Sequence, residues 1–145
     1  MHRMAGDIEA AVQIPLLHIA DPTGASITAA SYRRIGLLGT AFTMEQPFYR
    51  KRLEEKFKLD VVVPPADDRR IVHDVIYQEL VKGIVRDASR EQYRGVIRRL
   101  ITDGCEAIIL GCTEIMLLVG AGDSAVPLFD TTTLHAEAAL TQALA

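Results

Sequence analysis

The chain has 145 residues, 49% hydrophobic and 24% charged, which suits one globular domain and excludes a disordered tail or low-complexity linker. Net charge is −3, from 16 basic and 19 acidic residues, which argues against the broad basic face of a nucleic-acid-binding protein. The longest apolar stretch, residues 107–122, carries Glu114 and falls short of the about 20 residues that a spanning helix needs, so no membrane role is expected.

The N-terminal stretch MHRMAGDIEAAVQ has no long apolar core, so no signal peptide is expected. Five apolar runs read as strands: residues 14–19, 34–40, 60–63, 107–111 and 126–129. Most are continuous rather than alternating, the pattern of strands buried on both faces of a parallel sheet. DPTGAS, at residues 21–26, reads as a turn and possible hinge. Helical stripes follow. Tyr49, Leu53 and Phe57 recur every four residues, as do Val72, Ile76 and Leu80. Tyr93, Val96, Ile97, Leu100 and Ile101 form a third stripe. Thr43 with Gln46, and Ser89 with Gln92, have the spacing of capping boxes. Residues 64–67 read as a turn into a helix.

Strand and helix alternate from residue 34 to residue 111, which predicts an α/β fold with a parallel sheet covered by helices. The two ends fit less simply. Residues 1–32 read as helix, strand, helix, and residues 123–145 as strand, helix. They look like parts of a second layer whose remainder is absent.

Gly36, Gly39 and Thr40 end the second run, and a helix starts a few residues later. Small residues there let a ligand approach the backbone, and the hydroxyls of Thr40 and Thr43 can donate to an anion. A tight turn with capping hydroxyls is the competing reading. There is no Gly-Lys-Ser/Thr, so no nucleotide P-loop is expected. The run GAGDSA at residues 120–125 formally matches a dinucleotide fingerprint, yet it precedes a strand and opens no helix, so it reads as a flexible loop.

The tetrad Gly111-Cys112-Thr113-Glu114 is the most informative. It sits where the fourth apolar run stops, at the edge where parallel sheets bind ligands. A thiol there, near backbone N–H groups and a hydroxyl, can be tuned toward thiolate. Glu114 can orient a base or a substrate ammonium. Equally, Cys112 can be a small buried hydrophobe. Cys105 enters the same run from the other end. Seven residues of strand span about 23 Å, so the two thiols cannot share one small substrate or one metal. Without an export signal they read as reduced, and a cytoplasmic protein is expected. His2, His18, His73 and His135 show no ligand spacing, so no metal is expected. His73 and the pairs Arg69-Arg70 and Arg98-Arg99 read as solvated helix faces.

The segment IGLLGTAFTMEQPFYRKRLEEKF, the tetrad GCTE and the ending PLFDTTTLHAEAA together resemble the aspartate/glutamate racemase family, and IPLLHIAD adds to the likeness. The resemblance covers nearly the whole chain. It implies two similar α/β domains around a cleft: residues 33–114 as the continuous domain, and residues 1–32 and 115–145 as the remnant of a discontinuous one. It implies cofactor-independent racemisation, in which two groups on opposite faces of the α-carbon exchange a proton. Cys112 matches the second such group. Thr40, Thr43 and Thr113 match carboxylate-binding positions, with Glu114 beside them.

The first group belongs to a Cys/Thr-Asn-Thr-Met-His motif. Here only Met1-His2 match its end, and the chain holds no Asn at all. An N-terminally truncated chain with weakened activity is therefore expected, acting on an amino-acid substrate, with a homodimer as the expected assembly. A non-catalytic carboxylate-binding or dimerisation module is the alternative. A single-cysteine hydrolase or isomerase is weaker, because no Cys-His order is legible.

Overall fold

The computed structural model describes residues 2–145, with only the backbone described for His2, so the Met1-His2 match lies outside the described side chains. Four strands form one parallel sheet in the order β2-β1-β3-β4. They are β1 (Arg34–Leu38), β2 (Asp60–Val62), β3 (Ala107–Leu110) and β4 (Leu128–Asp130). Seven α-helices are described: α1 (Ala5–Ala11), α2 (Ala20–Ala29), α3 (Ala41–Glu45), α4 (Pro47–Phe57), α5 (Ala66–Gln78), α6 (Asp87–Thr102) and α7 (Thr131–Leu144). The expected α/β architecture is the one observed.

The sheet is a middle layer. Leu38, Ile108 and Leu110 face a core built with Val72, Ile76, Tyr93, Val96 and Ile97 from α5 and α6. Ile35, Leu37, Ala107 and Ile109 face the other way, onto Ala20 and Ile27 of α2 and Tyr49 and Leu53 of α4. Each of these apolar strand residues thus finds an apolar neighbour on whichever side it points, which is why the runs are continuous. Gly36 marks how tightly the layers meet: a Cβ there would lie 2.6 Å from Ile108 Cδ1 and 2.9 Å from Leu100 Cδ1. Gly104, at φ 89°, supplies the left-handed turn that brings the end of α6 into β3. At the entry to β3, the Glu106 carboxylate accepts from the backbone N–H groups of Arg33 (2.7 Å) and Arg34 (3.1 Å), which fixes the β1–β3 register.

Several local expectations need correcting. Residues 14–19 form no strand, because no other described strand runs beside them to accept their hydrogen bonds. DPTGAS is not a hinge; it lies inside α2, where the Asp21 carboxylate takes a bidentate pair from Arg52 (2.6 and 2.8 Å) and a third bond from Lys56 (2.8 Å). Thr40, not Thr43, caps α3, and Gln46 precedes Pro47 at the start of α4. Pro47 therefore sits at the first helical position, where its missing N–H costs nothing. α6 begins at Asp87, so Ser89 lies in its first turn and donates to Glu79 (2.6 Å) instead of capping. The segment at residues 120–125 contains a short 3-10 turn, Ala121–Asp123, pinned by Arg94 to Asp123 (2.6 Å). The last strand starts two residues later than its apolar run. No described helix is long and apolar enough to cross a membrane.

Residues 115–145 contribute β4, which pairs with β3 in the same sheet as the 33–114 block, and α7, which packs on α2.

Candidate functional site

The carboxyl ends of β1 and β3 lie side by side, with Leu38 opposite Leu110. Beyond them the chain continues as Gly39-Thr40 and Gly111-Cys112. Both glycines are there for close approach: a Cβ on Gly111 would stand 2.8 Å from the Leu38 carbonyl oxygen, and one on Gly39 would stand 3.2 Å from Thr43 Cβ. The Thr43 methyl lies over both, 3.6 Å from where a Gly111 Cβ would be. Thr43 thus sits one residue away from Cys112 across the sheet edge.

Thr40 and Thr43 act as a pair. The Thr43 N–H donates to Thr40 Oγ1 (3.3 Å), and the two hydroxyl oxygens are 3.3 Å apart. One hydroxyl of such a pair can donate to the other and leave the second proton for a ligand. Both residues are half-buried.

Cys112 is half-buried, with its thiol donating to Glu114 Oε2 at 2.8 Å. Burial, and then the hydrogen bond to this carboxylate, push the thiol up to about 12, although the N–H groups of Glu114 and Thr113 pull the other way. The expectation of a thiolate-tuned cysteine is therefore reversed: at neutral pH Cys112 holds its proton, because its nearest partner is an anion rather than a cation. Glu114 is held ionised, below its ordinary range, chiefly by the Cys112 thiol, with the Thr113 hydroxyl helping against partial burial. Thr113 itself is exposed at the rim. Of the four residues that sequence reading placed around Cys112, Thr113 and Glu114 follow it in its own loop, Thr40 caps α3 and Thr43 lies in the first turn of α3, with Glu114 in direct contact with the sulfur.

Cys105 is buried at the opposite end of β3, where desolvation raises its thiol. It takes no part in the site.

Further groups frame this edge that the sequence reading did not assign to it. α7 starts here: Asp130 caps it, accepting from the N–H groups of Thr132 and Thr133, and Thr131 Oγ1 donates to the Leu110 carbonyl (2.9 Å). Tyr93 is buried under the site, donating to the Val72 carbonyl (2.9 Å), and burial above all keeps its hydroxyl protonated. His73 is no solvated face residue, since its Nδ1 accepts the Ala41 N–H (3.1 Å) at the start of α3. Arg69 is half-buried and pairs with Glu45, whereas Arg99 lies on an exposed helix face, as expected, while pairing with Asp68. Arg90 holds the loop after GCTE by donating to the Leu118 carbonyl (2.8 Å). Nothing in the spacing marks these residues, because their partners lie 21 to 32 positions away in sequence.

The sequence profile described as Asp/Glu/Hydantoin racemase matches residues 1–139. A Yersinia pestis crystal structure named for an Asp/Glu racemase superposes with a TM-score of 0.96 at 53% identity, covering 100% of this chain and 63% of that one. An aspartate racemase homologue from Pyrococcus horikoshii OT3 gives 0.90 at 33% identity, covering 99% of this chain and 63% of that one. Among curated proteins, an uncharacterized protein from the pnlA 3' region of Pectobacterium carotovorum subsp. carotovorum is 30% identical over 113 residues, or 78% of this chain and 73% of that one. The chain spans just under two thirds of the length of the two solved structures.

Proposed function

We propose, from the premise that this chain belongs to the Asp/Glu/hydantoin racemase family, that it carries one half of a cofactor-independent amino-acid racemase site. Cys112 is the acid on one face of the α-carbon. Its proton passes to the carbanion as the S–H bond breaks and a C–H bond forms, leaving a thiolate within reach of the N–H groups of Thr113 and Glu114. The Glu114 carboxylate disfavours that thiolate and so favours recapture of a proton. Thr40, Thr43 and Thr113 bind the substrate carboxylate. An acidic amino acid is the first substrate to try, because the relatives are named for aspartate and glutamate. The observation that carries this reading is the Cys112–Glu114 contact at the open carboxyl edge of β3, one residue from the threonine pair.

Racemisation needs a second group on the opposite face, and Cys105 is at the far end of β3. The isolated chain should therefore racemise L-aspartate at least about a hundredfold more slowly than a racemase that carries both proton-transfer groups, the contribution typical of one such positioned group. Chiral chromatography of L- and D-aspartate and glutamate measures this, and Cys112→Ser should remove the remaining rate. Full activity from the 145-residue chain would overturn the half-site reading.

The alternative is a carboxylate-binding or dimerising module, read from the exposed Val12, Ile14, Leu140 and Leu144. Calorimetric binding of aspartate without turnover, with a dimer by light scattering, would favour it. The division into a 33–114 domain and a flanking remnant, and a cytoplasmic setting with two reduced thiols, belong to the same reading.

A further inference from the structure

We infer that His73 and Arg69, both on α5, are positioning residues that clamp α3 and so hold the Thr40–Thr43 hydroxyl pair toward a ligand carboxylate; this rests on the carboxylate-binding role proposed above for that pair. The inference starts from length. α3 has only five residues, and helices shorter than about 12 to 15 residues are marginal alone, so its order must come from outside. Met44 supplies one anchor by burial. The polar anchors are at its two ends. At the start, the Ala41 N–H, one of the orphan donors of a helix terminus, donates to His73 Nδ1 (3.1 Å). At the end, the Glu45 carboxylate accepts from Arg69 Nε (3.3 Å), and Arg69 Nη1 donates in turn to the Pro64 carbonyl (2.8 Å). A cleft of about 170 Å³ lies between the two helices, lined by Ala41, Glu45, Ala66, Arg69, Arg70 and His73. Across this cleft the two side chains bridge the helices, beside the apolar anchor of Met44, which shares a core cluster with Val72 and Ile76 of α5.

The rail that carries the clamp is itself fixed. Asp68 takes two bonds from Arg99 of α6, each 2.7 Å, and Tyr93 of α6 donates to the Val72 carbonyl. The His73 ring rests on Tyr77, with centroids 4.7 Å apart, which sets its plane. An accepting Nδ1 requires the imidazole to carry its proton on Nε2. The order of connection is thus α6 to α5 to α3 to the threonine hydroxyls.

The test uses the full chain, isotope-labelled for amide hydrogen exchange, with L-aspartate as the calorimetric probe. His73→Phe keeps an aromatic ring on Tyr77 and removes the acceptor. Exchange at Ala41 and Thr43 should accelerate at least about fivefold, exchange at Ile108 should stay unchanged, and the aspartate Kd should weaken about fivefold, the scale of one lost hydrogen bond. His73→Asn, whose side-chain oxygen can accept in place of Nδ1, should recover both. Arg69→Met frees Glu45 and should act in the same direction. Unchanged exchange at Ala41 and Thr43 in both variants, or acceleration spread evenly over core amides, would overturn the clamp. If the unmodified chain binds no aspartate, the carboxylate-binding role fails, and with it the clamp's purpose; the exchange data alone then decide whether the clamp exists.

Discussion

Two aliphatic runs of this chain have opposite fates. Ala107–Leu110 is fully buried, paired on both edges by β1 and β4 and covered on both faces. Residues 14–17, Ile-Pro-Leu-Leu, carry the same kind of side chains, yet form no strand and leave Ile14 74% exposed. The difference is not propensity. A strand exists only where neighbours take its backbone hydrogen bonds, and for residues 14–17 the described chain offers none. Sequence periodicity reports what a segment can become; the sheet beside it decides.

The largest expected effect tests that contrast directly. Ile109→Ala empties a site with no exposure and should cost about 2–5 kcal/mol by urea unfolding, whereas Ile14→Ala should stay within about 0.5 kcal/mol. Equal losses would mean that residues 14–17 are packed after all. Next, Gly36→Ala drives a methyl against Ile108 and Leu100 and should cost about 1–3 kcal/mol, because both neighbours belong to the covered core. Gly6, on α1 in the flanking part, meets nothing within 4 Å, so Gly6→Ala should be neutral or slightly stabilising. A smaller effect joins the two regions' helices. Burial alone would raise the Asp21 carboxyl, but the hydrogen bonds and charges of Arg52 and Lys56 outweigh it and lower the group from 3.8 to about 2. The stability it lends is therefore full above pH 3.8 and is lost as pH falls through about 2. Asp21→Asn should lower the thermal midpoint near neutrality by a few degrees, and the gap from the unmodified chain should close as pH approaches 2. A gap that persists there would point to lost packing instead of lost charge.

Legibility followed the same divide. The four strands of the sheet, the helical stripes and the GCTE loop could be read because each depends on local pattern and on a neighbour that the chain itself supplies. β1, β2 and β3 fell within one or two residues of their apolar runs. The segment at residues 14–19 was misread because its pattern is that of a strand while its pairing is not local information. DPTGAS misled because turn-forming residues were weighed without the Arg52 and Lys56 that fix Asp21 in a helix. The position of Cys112, Thr40, Thr43, Thr113 and Glu114 at one sheet edge was legible from strand ends and small residues. The protonation of Cys112 was not, since it turns on which way the Glu114 side chain folds back. His73 and Arg69 escaped because a histidine accepting from a backbone N–H leaves no spacing signature.

The arrangement of Cys112 as a proton-holding acid aimed at Glu114 is tested most directly by the pH dependence of its alkylation. In a Cys105→Ala background, the iodoacetamide rate should climb about tenfold per pH unit from about 7 to about 10 without levelling, since only the thiolate reacts. Glu114→Gln should speed the reaction at about pH 8 by removing the charge that disfavours the thiolate. A rate that levels off by about pH 9, with no response to Glu114→Gln, would contradict the account.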